Sequence, residues 1–477
     1  MDTKGGYRME GSSFWGTMKS TLTFQKSGLD KWAQLNNSFY EKQFSVDLIM
    51  DKKNVLVFPC GSEIGLEINR SLAFSNHFML WGASSVRDHG EFVYKNYIGS
   101  IPYYDHPEFI EKLDQIVKDF NIDIIYPAMD SIIYKLKVNE DKISTKILAP
   151  PLRTIQICNE KRKTYDFFIN AINTPKIFNN INEIEEYPVF IKKNIGYGAR
   201  NAFKIESQDE LLTHLRKETD YIICEYLPGR EYTIDCFTDY KGNLRFCMPR
   251  QRIRIMNGIS VRSETDWAPN PEFIRIANII NSALIMRGAW FFQMKENRNE
   301  NLTLLEIACR IGGGSSTYRP AGINLPLLSL FDYFEQDVQI DVQKLDIIRD
   351  SALSSSYQID LEYDTVYVDY DDCLYCNDKI NTELVKFLYQ CVNQNKKMIL
   401  LTKHKGDLYN DLKKYKVFEI WDQIILINDS DDKGSYIREP KSIFIDDSFS
   451  ERKRVREKLS IPVFAPDSIE ALLLERY

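Results

Sequence analysis

Histidine is scarce in this 477-residue chain: there are five, and none is paired at the spacing of zinc ligands. A histidine-based zinc centre is therefore not expected. No apolar run approaches the ~18 residues that span a bilayer, which argues against a membrane segment. The nine cysteines are an odd number, scattered without a disulfide-like framework and with no secretory signal ahead of them. They point to a reducing cytoplasm. Cys373 and Cys376 form a lone C-x-x-C with no second pair and no suitably spaced histidine, and it reads as coincidence. Net charge −7 is mild over this length and gives no support for a nucleic-acid or polybasic membrane surface. Two phosphate fingerprints are also missing. The glycines after the first strand do not make G-x-G-x-x-G, and Glu63 stands where a pyrophosphate would approach; the Walker spacing occurs nowhere near the lysines discussed below.

What is present is a chain that is 44% hydrophobic and 27% charged, long enough for about three domains at roughly 100–200 residues each. Residues 1–50 mix Gly, Ser, Lys and Asn with isolated aromatics such as Trp15, Trp32 and Phe39, and are expected to be an extension dispensable for chemistry. Residues 51–150 alternate strand, turn, helix and strand: NVLVFPC, Gly61 and Gly65 at a turn, HFMLWGAS, FIEKLDQIVKDF, IDIIYPAMD. That alternation predicts a small parallel, doubly wound α/β domain, with Asp130 at a strand end as a candidate substrate contact.

A second domain is expected over 151–335, after the Ala149-Pro150-Pro151 break. In LLEIACRIGGGSS, Glu306 and Arg310 fall on one strand face, ahead of Gly312, Gly313 and Gly314. A carboxylate and a guanidinium beside backbone that permits close approach suit a phosphate chain carrying a divalent metal. Gln293 lies on the preceding strand, and the turn-like NRNEN suggests a hairpin offering Gln293 and Glu306 to one metal. In PVFIKKNIGYGARN, strand lysines Lys192 and Lys193 meet a turn with Gly196 and Gly198, a combination that grips polyphosphate by point charge and backbone N–H groups. In YIICEYLPGREYTIDCF, Glu225 and Glu231 flank a Pro228-Gly229 turn between an apolar strand and a returning one, either as adenine and ribose contacts or as solvated hairpin acids. Arg250, Arg252 and Arg254 alternate in MPRQRIRI and are expected to line one strand face, towards an anionic substrate or towards solvent.

The order of these pieces resembles the ATP-grasp superfamily, and most nearly its carbamoyl-phosphate synthase and biotin carboxylase branch, over about Asn54 to Phe334. The resemblance implies that Lys161 and Lys192 contact phosphates beneath Gly196–Gly198. It further implies that Glu225, Tyr226 and Leu227 form the adenine hinge, that Glu231 binds ribose, that Gln293 and Glu306 hold Mg2+ (or Mn2+), and that Arg310 steadies the transferred phosphoryl group. The implied chemistry is attack of a carboxylate on the γ-phosphate of ATP, followed by displacement of the acylphosphate by an amine or related nucleophile. Ala308 departs from the pattern, because the family usually places a metal-binding Asn there; this puts a second metal ion in doubt.

Residues 336–362 are acidic, contain Ser354-Ser355-Ser356, and are expected to be a linker without a core pattern. From 363 to 477, strands end in acids, a hydroxyl and a lysine: Asp369, Asp371 and Asp372 after VYV, Thr402 after MILL, Lys433, then Asp446 and Asp447 after SIFI. Acids crowded at a strand end repel one another unless a cation lies between them. The set resembles the haloacid dehalogenase-like phosphohydrolases. By that resemblance Asp369 is the nucleophile, Asp371 the general acid/base, Thr402 and Lys433 the phosphate holders, and Asp369, Asp371, Asp446 and Asp447 the magnesium set. Cys373 stands where Thr is usual. Gaps of about 30 residues between the motifs leave no room for a large cap. The expected fold is thus α/β and α+β multidomain: a pre-ATP-grasp domain, an ATP-grasp fold and a Rossmann-like phosphohydrolase domain. The expected function is a cytoplasmic ligase of small-molecule carboxylates and acceptors fused to a phosphatase, with homo-oligomerisation open. The alternatives are a phosphohydrolase-like part that only binds or regulates, and a small-molecule kinase.

Overall fold

A computed structural model describes residues 52–196, 201–217, 220–256, 258–267, 269–357 and 359–474. Gly198 and the expected extension 1–50 lie outside them. The compact unit Asn54–Tyr477 carries the fold.

It begins with β1 (Lys53–Phe58), α1 (Glu63–Leu72), β2 (Phe78–Ala83), β3 (Asn96–Ile98), α2 (Phe109–Asp119), β4 (Ile124–Pro127), α3 (Asp130–Val138) and β5 (Lys146–Ile147). The strands are parallel in the order β3-β2-β1-β4-β5. Val55, Leu56 and Val57 are all fully buried, as a strand covered on both faces requires. The turn after β1 is tight. Ser62 Oγ caps α1 by accepting from the Gly65 N–H, and a Cβ at Gly65 would lie 2.4 Å from the Cys60 carbonyl oxygen. This turn sets Glu63 in the first turn of α1, beyond the C-terminal end of β1.

Next come α4 (Leu152–Asn159), α5 (Lys161–Phe168), β6 (Ile177–Phe178), β7 (Val189–Lys193), β8 (Phe203–Ile205), α6 (Gln208–Lys217) and β9 (Tyr221–Glu225). The strands form a four-stranded sheet, β6-β9-β7-β8. Then β10 (Glu231–Thr238), β11 (Leu244–Met256), β12 (Ile259–Thr265), α7 (Pro271–Ala283), β13 (Gly288–Glu296), β14 (Leu302–Ala308), α8 (Leu325–Tyr333) and β15 (Ile348–Asp350) follow. Their strands form an antiparallel sheet, β14-β13-β10-β11-β12-β15. Phe58 and Ile125 of the first sheet share one buried cluster with Trp290, Phe292, Leu304 and Ile307. Burial at that density fixes the first sheet against the strands that carry the site.

Two expectations are corrected here. The strand after Pro228-Gly229 does not return along its predecessor: β9 pairs with β6 and β7, whereas β10 pairs with β11 and β13. The turn crosses between sheets because the Gly229 N–H and the Glu296 carbonyl already bond across it. The stretch expected to be an unpatterned linker contains β15, which closes the edge of the larger sheet on β12.

The remaining strands are β16 (Thr365–Val368), β17 (Tyr375–Cys376), β18 (Lys379–Ile380), β19 (Lys397–Thr402), β20 (Gln423–Leu426), β21 (Ser442–Ile445) and β22 (Val463–Phe464), with helices α9 (Thr382–Asn393), α10 (Leu408–Lys414) and α11 (Phe449–Leu459). A parallel sheet runs β20-β19-β16-β21-β22, and β17 and β18 make a separate small hairpin after Asp371. Among the described residues, no helix is long and apolar enough to cross a membrane.

Candidate functional site

A cleft of about 1010 Å³, counting its open mouth, is lined by residues of both the four-stranded and the six-stranded sheet. Lys161, Lys192, Gly196, Glu225, Tyr226, Leu227, Glu231, Gln293 and Glu306 all line it. Gln293 and Glu306 are register partners on β13 and β14, so their side chains leave the sheet on the same face. Lys192 is buried; its Nζ donates to Tyr165 Oη at 2.6 Å, and that hydroxyl donates to the Leu305 carbonyl at 2.7 Å. The lysine is thereby tied to the strand that bears Glu306. Lys161, at the start of α5, donates to the Gly196 carbonyl at 3.1 Å. Burial draws its amine below the usual lysine range, an effect that Glu306 opposes and Lys192 reinforces.

Glu225, at the end of β9, accepts from the Lys176 N–H at 3.1 Å. Glu231 is held by Arg252 Nη1 at 2.7 Å and Lys295 Nζ at 3.2 Å. At the other end Arg310 grips Asp130 in two bonds, Nε at 3.0 Å and Nη2 at 2.6 Å. Burial works against this guanidinium's charge, but the Asp130 carboxylate outweighs it and lifts Arg310 above its ordinary value. Asp130, Lys161, Glu306, Ala308 and Arg310 together line a second, smaller cavity. Ala308 offers no oxygen there.

Of the three arginines expected on one face, Arg250 and Arg252 share it in regular pairing with β12, and Arg254 leaves it. Arg250 is buried and paired to Asp235 at 2.7 Å, Arg252 reaches the cleft, and Arg254 is exposed and bonded to Asp350 at 2.8 Å. Irregular pairing of β11 with β12 between Arg252 and Arg254 breaks the alternation.

A second constellation lies at the C-terminal ends of β16, β19 and β21. Asp369, Asp446 and Asp447 bring ligand oxygens within 4.8 Å of one another. Lys433 Nζ stands between two of them, 2.9 Å from Asp369 and 2.6 Å from Asp446. Burial raises the Asp369 and Asp446 carboxyls, Asp446 to about 6, where the Asp369 charge adds to the effect and Lys433 opposes it. Thr402 is buried, and its hydroxyl lies beside Asp369 and favours that group's charged form. Asp371 is the exception. It is half-exposed, stands outside the metal-capable trio, and bonds His404 Nδ1 at 3.0 Å. Its carboxylate follows the strand end into the turn before β17, and the imidazole claims it there.

Residues not expected from sequence include Tyr165, Lys295, Arg349 and His404. Lys295 was open to inference, since it lies two residues from Gln293 on the same strand face. The others are brought to the sites by packing alone.

The arrangement defines a class of fold, the ATP-grasp fold. Residues 217–353 match the family model described as "ATP-grasp in the biosynthetic pathway with Ter operon". Two solved structures share the fold. One is the biotin carboxylase domain of the Hydrogenobacter thermophilus 2-oxoglutarate carboxylase, with 13% identity, 62% of this chain and 72% of that one covered, and a TM-score of 0.52. The other is N5-carboxyaminoimidazole synthetase from Staphylococcus aureus, with 15% identity, 61% and 80% covered, and a TM-score of 0.52. No curated protein sequence matches the chain.

Proposed function

We propose that this chain is an ATP-dependent carboxylate–amine ligase acting through an acylphosphate, joined to a magnesium-dependent phosphatase of the haloacid dehalogenase type. The observation that carries the first half is the Gln293–Glu306 pair facing a cleft with Lys161 and Lys192, beside Arg310. The S. aureus synthetase is described as complexed with ADP, and the H. thermophilus domain with MgADP, ADP and bicarbonate, which supports the same reading of the cleft.

In this reading Glu225, Tyr226 and Leu227 receive the adenine and Glu231 the ribose, while Lys161 and Lys192 hold phosphate oxygens beside Gly196. The hard oxygens of Gln293 and Glu306 fit Mg2+ or Mn2+, which when bound would neutralise charge between the phosphates. Arg310, preset by Asp130, presents its guanidinium to the oxygens that gain charge as the carboxylate attacks the γ-phosphorus and ADP departs. An amine then displaces phosphate from the acylphosphate.

In the phosphatase, Asp369 attacks phosphorus, Lys433 and Thr402 hold the phosphoryl oxygens, and Asp371 passes a proton to the leaving group; Asp371 then takes a proton from the water that cleaves the aspartyl phosphate and releases phosphate. The buried Thr402 hydroxyl beside Asp369 fits a phosphate, and the oxygens of Asp369, Asp446 and Asp447 fit Mg2+, which would offset their mutual repulsion. The tie between Asp371 and His404 favours a second reading, a phosphate-binding module without turnover. Domain limits of 51–150, 151–335 and 363–477 fit this division of labour, although β15 ties the 336–362 segment to the larger sheet.

The test measures ADP release from ATP and Mg2+ with pooled carboxylates and pooled amines, and phosphate release from p-nitrophenyl phosphate. The ligase reading requires ADP that depends on both pools and disappears in Glu306→Ala. A small-molecule kinase would form ADP without the amine pool and yield no hydroxamate when hydroxylamine is added. Phosphate release absent from the wild-type protein would leave the binding-module reading in place of the phosphatase.

A further inference from the structure

Around Gly312–Gly314, the turn that follows Arg310, four guanidiniums and several carboxylates converge. Most are spoken for: Arg250 by Asp235, Arg310 by Asp130, and Arg319 by Glu67 at 2.8 Å. Two opposite charges on either side of Gly313 are left over. Arg349, from β15, donates through Nη2 to the Gly313 carbonyl at 3.3 Å, while its Nη1 is buried with no partner among the described residues. Glu63, from the first turn of α1, lies flat on the same glycine: a Cβ there would be 2.4 Å from its Oε1. Neither makes an ion pair within 4.0 Å among the described residues.

Half-buried opposite charges so close together would be expected to pair if their role were structural, because an unpaired buried charge is costly. Here they are held apart by the glycine turn. Burial raises the Glu63 carboxyl, with Arg349 the strongest opposing charge and Arg250 and Arg310 also acting on it. The turn that both residues touch begins two residues after Arg310, which lines the smaller cavity together with Glu306. Ser315, 3% exposed at the foot of the turn, adds an Oγ with no partner among the described residues.

Resting on the ligase reading, we infer that the carboxylate substrate is an α-amino acid, its ammonium received by Glu63 and its carboxylate by Arg349, with Ser315 as a third contact. A cation and an anion presented on two sides of one residue complement the zwitterionic head group and disfavour a simple carboxylic acid, which would leave Glu63 unpaired. Neither residue belongs to a recognisable motif. Arg349 comes from the linker segment, and Glu63 from the helix that follows β1.

The test is calorimetric binding of each standard amino acid and its des-amino counterpart to the full chain with Mg2+ and a non-hydrolysable ATP analogue, with ADP release measured in parallel. At least one amino acid should bind tenfold or more tightly than its des-amino counterpart. Glu63→Gln should collapse that ratio to within threefold, and Arg349→Gln should weaken both ligands at least tenfold. A ratio taken within one variant does not depend on how much of it has folded. The inference is overturned if no amino acid binds, if des-amino acids bind as well, or if Glu63→Gln leaves the ratio intact. ADP release driven by amine-free carboxylates would remove this inference and keep the ligase; amino-acid binding without ADP release would do the reverse.

Discussion

Replacing Asp369 by Asn should abolish phosphate release yet make the metal-free protein more stable. Asp369, Asp446 and Lys433 are 6%, 0% and 2% exposed, so the buried trio carries two negative charges against one positive. The strain appears in Asp446, whose carboxyl is displaced from 3.8 to about 6, by burial first and by the Asp369 charge second. A displacement of about two units corresponds to roughly 3 kcal/mol at pH 7.5. Asp369→Asn relieves the charge part of that figure and should be stabilising, because Lys433 keeps Asp446 as a neutralising partner. For a segment of this size each ~1 kcal/mol relieved raises the melting temperature by about 4 °C. The sign with pH follows. A carboxyl raised in the fold contributes stability that is full below its unfolded value and lost as pH rises through the folded one. Metal-free wild-type protein should therefore weaken between pH 4 and about 6, and the Asn variant should weaken less. Magnesium should reverse the ranking at pH 7.5, since the wild-type trio binds it better. The assay is thermal melting in EDTA and in millimolar Mg2+ at pH 5 and 7.5, with p-nitrophenyl phosphate hydrolysis alongside. A metal-free variant melting below wild type at pH 7.5 would refute the reasoning.

Glu306→Ala removes the only carboxylate of the Gln293–Glu306 pair and should lower ADP formation by about a thousandfold or more, measured by coupled assay at saturating ATP. Lys192→Met keeps the buried stem but deletes the charge beside Tyr165; nucleotide titration should show ATP bound about 10- to 100-fold more weakly. Gly65→Ala drives a Cβ to 2.4 Å from the Cys60 carbonyl, a backbone atom that cannot swing aside. It should cost about 1–3 kcal/mol in denaturant titration, with no change if the turn is looser than described.

Local pattern sufficed for much of this molecule. The alternation through 54–130 specified a parallel sheet because strands buried on both faces need continuous apolar runs, and Val55–Val57 supply one. The Gln293–Glu306 hairpin was legible because two apolar strands with a polar turn between them have few ways to pair. Other features depended on contacts distant in sequence. The chain after Pro228-Gly229 joins another sheet because the available edge there is β13, not β9. Arg254 is parted from Arg250 and Arg252 by an irregular strand register, which no single strand encodes. Asp130 meets Arg310 and Glu63 meets Gly313 across intervals of 180 residues and more, and Arg349 meets Gly313 across 36. Residue types and spacing determined which chemistry the chain can support. Which charges are neutralised, and which are left to meet a ligand, was decided only where separate sheets pack together, because pairing depends on distance in space and not along the chain.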